Sequence, residues 1–270
     1  MNCQIMAEPL KVTFDKNVYE FVVDPDKEGA IPDSQRTTFC LIHELILEHR
    51  ILPFISETIL TYEAVAKKER FSVLTDPKPI LIQSEGTSVT VGSNPGIFPG
   101  SHAKDDIYLR GAIDMGFKIL PGKRFGKLIN PSIKSEWYYY LNEDYLLTSE
   151  RFSNAVKIIE GLGAGYSQYI DLITNSGNAH LNSKEKLKQF QGNVNRLNFA
   201  IAEWSDGDSV ALHIAYGIDF FCTKDEGKNA RANATFGSVV NNELNERVGF
   251  KKGSPEELVK LLGGNFPVSS

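Results

Sequence analysis

Short apolar strands alternate with helical segments along this 270-residue chain, and this alternation limits the possible folds. "KVTF" near the start of residues 10–23 and "LPFIS" at 52–56 are apolar, as buried strands are, and "DFFCT" near residue 220 repeats the pattern. Apolar residues at helical spacing occupy 37–51 and 56–70. The alternation predicts an α/β fold in which helices cover both faces of a mainly parallel sheet.

The rest of the chain fits one domain spanning residues 1–270, with an insertion at 71–148. The insertion is rich in glycine and proline, and it contains a predicted β-hairpin at 79–93. Helical periodicity returns at 149–174 and 182–204. The last unit, "VGFKKGSPEELVKLLGG", predicts a strand, a turn and a helix that begins at Ser254.

Composition excludes several classes of protein. The net charge of −5 argues against a strongly basic nucleic-acid binder, so any contact with nucleic acid must be local. The glycine-rich motifs of dinucleotide and P-loop sites are absent. The three cysteines lack metal-ligand spacing, and the N-terminus lacks a signal-peptide pattern. With no run of 18 apolar residues, we expect a cytoplasmic protein with reduced thiols and no membrane partner.

Acidic residues stand where the predicted strands end. Asp15 closes the first strand and Asp225 follows the "DFFCT" strand, while Asp206 and Asp208 precede the helix leading into it. Glu63 lies in the helix predicted after "LPFIS". Carboxylates brought to one edge of a sheet repel one another unless a cation lies among them, and oxygen ligands suit Mg²⁺ or Mn²⁺. The alternative is that these acids are ordinary helix caps and surface residues.

Four segments together resemble the PIN-domain nucleases. They are "VTFDKNVYEFV", "FISETILTYEAV", "DGDSVALHIAYGIDFFCTKDEGK" and "GSPEELVKLL". The segments come from both ends of the chain, and residues 71–148 carry no such resemblance. The resemblance implies a three-layer α/β/α fold and a ribonuclease site that depends on Mg²⁺ or Mn²⁺.

The resemblance also implies a set of metal-binding and catalytic acids, which in this chain are Asp15, Glu63, Asp208 and Asp225. Glu57 is the less favoured alternative to Glu63, because it lies close to the strand. Asp206 remains an alternative to Asp208: it keeps the family's distance to Gly217, whereas Asp208 directly precedes the alanine-rich helix.

Further residues are assigned supporting roles. Thr223 is expected to hydrogen-bond a carboxylate or phosphate, and Asn17 to orient Asp15. His213 is predicted to be a buried structural histidine. The RNA-contact candidates are basic residues on loops, namely Lys123, Arg124, Lys127, Lys228 and Arg231. The alternative for these residues is a solvated loop surface.

The favoured function is therefore an endoribonuclease that hydrolyses RNA phosphodiesters. One alternative is the toxin of a toxin–antitoxin pair, which would bind an antitoxin-like protein. Another is an inactive PIN-like scaffold that binds RNA or protein, and a phosphatase of small esters is a weaker option. A homodimer is also possible, because the apolar segment at 37–47 could serve as a dimer face, although it could equally belong to the core.

Overall fold

The computed structural model describes residues 8–27, 32–67, 69–70, 80–85, 88–93, 96–97, 103–124, 128–141, 145–174, 194–225 and 232–263. The strands are β1 (Leu10–Phe14), β2 (Ile51–Ser56), β3 (Ile80–Glu85), β4 (Ser88–Ser93), β5 (Gly96–Ile97), β6 (Lys118–Leu120), β7 (Leu128–Ile129), β8 (Phe220–Cys222) and β9 (Lys252–Gly253). The α-helices are α1 (Lys16–Val23), α2 (Asp33–Leu47), α3 (Ala103–Asp114), α4 (Tyr145–Gly161), α5 (Tyr166–Thr174), α6 (Val194–Ala215), α7 (Ser238–Val248) and α8 (Pro255–Leu261). A π-helical turn covers Ile59–Glu63 and a 3₁₀ turn covers Ser135–Trp137.

Five strands form a parallel central sheet in the order β6-β2-β1-β8-β9. Strand β1 is in the middle, where Val12 pairs with Pro53 on one side and Phe220 on the other. Counted along the chain, these five strands have the order 3-2-1-4-5. The chain therefore reverses direction across the sheet at β1, and the predicted α/β class with a parallel sheet is confirmed.

Helices cover both faces of this sheet. Alternate residues of a strand point to opposite faces, so Ile55 joins the core under α1, α2, α3 and α8, while Phe54 joins the core under α4, α6 and α7. Phe221 and its neighbour Cys222 divide between the two cores in the same way. The arrangement is the expected α/β/α sandwich of three layers.

The prediction of an α-helix at 56–70 is wrong, both in where the helical segment begins and in the kind of helix. Strand β2 continues through Ser56, and only the π-helical turn Ile59–Glu63 follows it before the chain leaves helical geometry. Ser56 does hold the turn, because its hydroxyl accepts a hydrogen bond from the Thr58 amide at 3.2 Å. A short turn that packs against the core shows the same apolar spacing as a longer helix, so periodicity does not separate the two.

The predicted position of Asp206 and Asp208 before a helix is also wrong. Helix α6 runs without a break through Gly207, so both acids lie in its middle. Gly207 is needed for close packing, since a Cβ there would stand 2.8 Å from the Cα of Gly165. The start predicted at residue 182 lies outside the described residues.

The range predicted as an insertion contributes to the core fold. Its hairpin is present as the antiparallel pair β3–β4. However, α3 covers one face of the sheet, and β6 pairs with β2 as an edge strand of the sheet itself. Strand β6 has only three residues, which is too short for the sequence pattern to reveal.

The remaining helices follow the sequence more closely. The predicted helix at 149–174 is divided into α4 and α5, with Gly163 and Gly165 at positive φ between them. The closing helix α8 begins with the expected capping box of Ser254 and Glu257. In the described part of the chain, no helix is both long enough and apolar enough to span a membrane.

Candidate active site

The candidate site lies at the edge of the sheet where β1, β2 and β8 end. In open parallel sheets, ligands bind beyond the carboxyl ends of the strands at the point where the strand order reverses. Here that point lies between β1 and β8, which pair through Phe14 and Cys222. Asp15 directly follows β1, and Thr223 directly follows β8. The topology therefore places these two residues side by side.

Asp15 is held firmly at this edge. Its Oδ1 accepts a hydrogen bond of 2.7 Å from the Lys16 amide, so Asp15 caps α1, and its Oδ2 accepts one of 2.7 Å from the Thr223 hydroxyl. Burial and, to a smaller extent, the charges of Glu63 and Asp225 raise the Asp15 pKa to about 7 against the lowering effect of the two hydrogen bonds. Asp15 is thus both a helix cap and part of a group of acids.

The loop after β8 links Asp225 to Asp15 through Thr223. The Thr223 hydroxyl accepts a hydrogen bond of 3.0 Å from the Asp225 amide while it donates to Asp15. The predicted bond from Thr223 to a carboxylate is therefore present. Asn17 acts on this loop, since its side chain accepts from the Lys224 amide at 3.1 Å and donates to Thr223 at 3.5 Å. Asn17 therefore acts on Asp15 through Thr223, which itself donates a hydrogen bond to Asp15.

Glu63 closes the π-helical turn after β2 and faces the same edge. Its Oε1 lies 3.8 Å from the Lys16 ammonium, and its Oε2 accepts a hydrogen bond of 3.3 Å from Ser205 on α6. Burial raises the Glu63 pKa, whereas Lys16, Arg70 and the Ser205 bond lower it. Glu63 therefore joins the end of β1 to the middle of α6.

Asp206 is the third acid of the group. Burial raises its pKa well above the ordinary value, and the charges of Asp15, Glu63, Glu203 and Asp225 raise it further. Within the described part of the chain, the Asp206 carboxylate receives no hydrogen bond and no ion pair. A half-buried carboxylate that lies among other carboxylates and receives no hydrogen bond is unfavourable unless a cation approaches it.

Asp208, the other candidate for the third acid, has different partners. Its Oδ1 accepts a 2.6 Å bond from the Arg124 guanidinium, and its Oδ2 accepts a 3.0 Å bond from the Trp204 indole. The Asp208 pKa is raised to about 6, because the effect of burial is larger than the lowering effects of Arg124 and Trp204. The charges of Glu63 and Asp225 raise the pKa of both Asp15 and Asp206, so these four acids lie near the same edge of the sheet, whereas Asp208 forms a separate ion pair with Arg124.

Two further acids occupy structural positions. Glu203 lies one turn before Asp206 and accepts a 3.0 Å hydrogen bond from the Thr235 amide, a role that the sequence gave no reason to expect. The only sequence signal for Glu203 is its i, i+3 spacing to Asp206, which places both on one side of a helix. Glu57, the alternative to Glu63, accepts bonds from the Gly122 amide at 2.5 Å and the Tyr138 hydroxyl at 2.7 Å.

The proposed RNA-contact residues are only partly described. Arg124 forms ion pairs with Asp208 and with Glu160, at 2.6 Å and 2.7 Å. The Arg124 guanidinium is therefore not a free cation facing solvent. The Lys123 ammonium lies 5.5 Å from the centre of the Tyr216 ring. Three other candidates lie outside the described residues: Lys127, Lys228 and Arg231.

His213 is a buried structural residue, as predicted. One ring nitrogen lies 3.0 Å from the Thr13 hydroxyl, and the ring meets Phe221 and Phe250 edge-on. Burial lowers the His213 pKa to about 3, so the ring is neutral near pH 7. It supplies no proton to the acidic group.

The acidic group fits a hard divalent cation in its chemistry. All its candidate ligands are carboxylate oxygens, which suit Mg²⁺ or Mn²⁺, and the Asp206 carboxylate is without a donor. Among the described residues, however, no three histidine, cysteine or acidic side chains stand close enough to hold a metal ion as they are placed. Binding a cation would therefore require these carboxylates to move toward one another.

Comparison with protein-family models, with curated proteins and with solved structures found no match to this chain.

Proposed function

We propose that this protein is a divalent-metal-dependent ribonuclease of the PIN-like type, which hydrolyses RNA phosphodiesters. The observation that carries the proposal is that Glu63 and Asp225 raise the pKa of both Asp15 and Asp206, as expected of acids that lie near one another where the sheet order reverses. These acids come from four separate segments: the end of β1, the π-helical turn, the middle of α6 and the loop after β8. Chance placement of surface acids gives no reason for such convergence. The sequence resemblance to PIN-domain nucleases supports the same function.

The proposal assigns the third acid to Asp206 rather than Asp208. A bound Mg²⁺ or Mn²⁺ would activate water and neutralise negative charge on the phosphate. The chain's own residues prepare the site for such an ion. Thr223 and the Lys16 amide fix both oxygens of Asp15, and the Lys16 ammonium partly offsets the charge of Glu63. Asp206 contributes a carboxylate that has no other partner in the described part of the chain.

RNA cleavage by the purified protein in the presence of Mn²⁺ tests this function. We expect the wild type to cleave a mixed RNA pool, and the Asp15→Asn and Asp225→Asn variants each to lose about 100-fold or more of the rate, because each loses a charged ligand. Asp171→Asn is the matched control, since Asp171 is an exposed acid on α5 and belongs to no acidic group described here. This variant should cleave at the wild-type rate.

Each other outcome points to a different function. Absence of cleavage by every form, together with RNA or protein binding, would contradict the nuclease proposal and favour an inactive scaffold. Hydrolysis of small phosphate esters without RNA cleavage would identify a phosphatase instead. Equal cleavage by the wild type and both variants would remove the acidic group from the mechanism. Growth arrest on expression, relieved by a partner protein, would assign the nuclease to a toxin–antitoxin pair.

A further inference from the structure

A groove of about 530 Å³ lies beside α3, and Asp15, Glu63, Asp206 and Asp225 are not among the residues that line it. One wall is the C-terminal half of α3, with Arg110 and Asp114, and the other is the loop that carries Lys134 and Trp137. This volume is within the range of sites that bind small molecules or single nucleotides. Neither the alternation of strands nor the acidic pattern predicts this groove, so the proposed chemistry leaves it unexplained.

The groove offers the three kinds of contact that a nucleotide needs. Arg110 and Lys134 are exposed cations, and neither forms an ion pair within the described part of the chain. The Lys134 ammonium lies 5.4 Å from the Trp137 ring centre, so a positive charge and an indole face occur together. Cations bind the phosphate, an indole stacks on a base, and the carboxylates of Asp106 and Asp114 accept hydrogen bonds from base amino groups or ribose hydroxyls.

The groove shares lining residues with a second, much smaller pocket. Asp106 and Leu109 line both of them. Lys16 lines the smaller pocket, and its ammonium lies 3.8 Å from Glu63. The groove and the acidic group are thus neighbours through Lys16.

We propose that this groove binds one unpaired nucleotide of a single-stranded RNA. Arg110 and Lys134 hold its phosphate, and Trp137 stacks on its base. The proposal names the substrate class of the nuclease proposed above and rests on that function only for the statement that the bound RNA is then cleaved. Structured double-stranded RNA is excluded as the ligand, because its paired bases are not free to stack on a side chain.

Binding of a fluorescent 12-nucleotide RNA, measured by anisotropy in EDTA, tests the groove without cleavage. We expect Arg110→Ala/Lys134→Ala to weaken binding about tenfold and to lower the slope of log affinity against log salt by about 1, because phosphate contacts are lost. Lys157→Ala/Lys251→Ala removes the same charge from exposed positions, Lys157 being on α4, which covers the other face of the sheet. This control should bind RNA as the wild type does.

Substitution of Trp137 separates stacking from charge. Trp137→Leu keeps an apolar side chain against the core beneath it but removes the aromatic face, and we expect it to weaken binding about tenfold with the salt slope unchanged. Trp137→Phe keeps an aromatic face and should stay within about threefold of wild type. Unfolding midpoints of the two variants show whether either effect comes from loss of structure.

The outcomes distinguish this proposal from the nuclease proposal. Unchanged RNA binding in Arg110→Ala/Lys134→Ala and in Trp137→Leu would overturn the groove proposal, even if the wild type cleaves RNA. Weakened binding in these variants, in a protein that cleaves no RNA, would support the groove and contradict the nuclease. An absence of RNA binding by the wild type would overturn the groove proposal outright.

Discussion

Asp206 and Asp208 are two residues apart on α6, yet they face different surroundings. Successive residues of an α-helix turn by roughly 100°, so these two carboxylates leave the helix in nearly opposite directions. Asp206 faces the acidic group, whereas Asp208 bonds to Arg124 and Trp204. Sequence spacing cannot choose between Asp206 and Asp208 when the start of the helix is predicted wrongly. Here Gly207 lies inside the helix, whereas a glycine at this position is also compatible with a helix break.

Substituting each of these acids should have opposite effects. We expect Asp206→Asn to lose RNA cleavage. Without metal, we also expect it to raise the unfolding midpoint, because it removes one of several negative charges that repel one another. We expect Asp208→Asn to keep cleavage but to lower the free energy of unfolding by about 2 kcal/mol, since it breaks a largely buried pair with Arg124. Cleavage rates and urea unfolding curves of the two variants are the measurements.

The reverse result would assign the third acid to Asp208. Loss of cleavage in a folded Asp208→Asn protein, with cleavage retained in Asp206→Asn, would show that Asp208 takes part in the chemistry. Arg124→Gln is a useful companion to Asp208→Asn, because it breaks the same ion pair without changing an acid. If Asp208 is structural, both variants should lose stability and keep cleavage.

At the scale of secondary-structure elements, the middle of α6 depends on close contact with the turn between α4 and α5. Gly165 has a positive φ, and its Cα lies so close to Gly207 that there is no room for a Cβ on Gly207. This contact fixes the height at which α6 passes the sheet edge, and with it the position of Asp206. Gly207 therefore has a packing role, whereas helix propensity alone would favour alanine there.

Gly207→Ala should lower the free energy of unfolding by about 2 kcal/mol, because the added Cβ meets backbone rather than a flexible side chain. Gly161→Ala is the matched control, since Gly161 ends α4 and a Cβ there meets nothing within 4 Å. The control should be neutral or slightly stabilising. Chemical denaturation of both proteins gives the comparison, and equal stability would contradict the packing role of Gly207.

The π-helical turn shows a limit of pattern reading at this scale. Apolar spacing in 56–70 predicts a helix, and the resemblance to PIN-domain nucleases implies that Glu63 lies on its inner side. The turn is only Ile59–Glu63, and Glu63 points inward because the turn ends there and its side chain contacts Lys16 and Ser205. The element that carries Glu63 therefore differs from the predicted one, and the role of Glu63 stays a prediction. Wide helical turns of this kind often occur at functional sites.

For the whole molecule, the sequence predicted the class of fold and the edge strand β9, but not the other edge strand, β6. Strands β1, β2 and β8 were recognisable because they are buried runs of apolar residues beside helices. Strand β6 was missed because it has three residues, and α3 was missed because its apolar pattern is weak within a range rich in glycine and proline. The convergence of the acids on one edge follows from the parallel order of the strands, so it was predictable. Which acid of α6 lies near Asp15 and Glu63 could be seen only in the structure.

The stability of the whole molecule should depend on pH through the acidic group. The Asp15 pKa is about 7 in the folded protein and near 4 in an unfolded chain, so the folded state binds the proton more tightly. Stability from this group is present below about pH 4 and is lost as pH rises toward 7. Without metal, this loss is on the order of 4 kcal/mol.

Urea unfolding in EDTA at several values between pH 4.5 and pH 7 measures this dependence. Asp15→Asn cannot titrate, so its stability should change less with pH than that of the wild type. The difference between the two proteins should grow as pH rises. Parallel curves for the wild type and the variant would show that Asp15 is not held in the environment described here.

The most direct test of the central claim is titration of Mn²⁺ into the purified protein, followed by the loss of the free-ion electron paramagnetic resonance signal. We predict binding by the wild type and by a folded Asp208→Asn protein, and at least tenfold weaker binding by Asp15→Asn and by Asp206→Asn, because a ligand is removed. Absence of Mn²⁺ binding by the wild type, or equal binding by the wild type, Asp15→Asn and Asp206→Asn, would contradict the account.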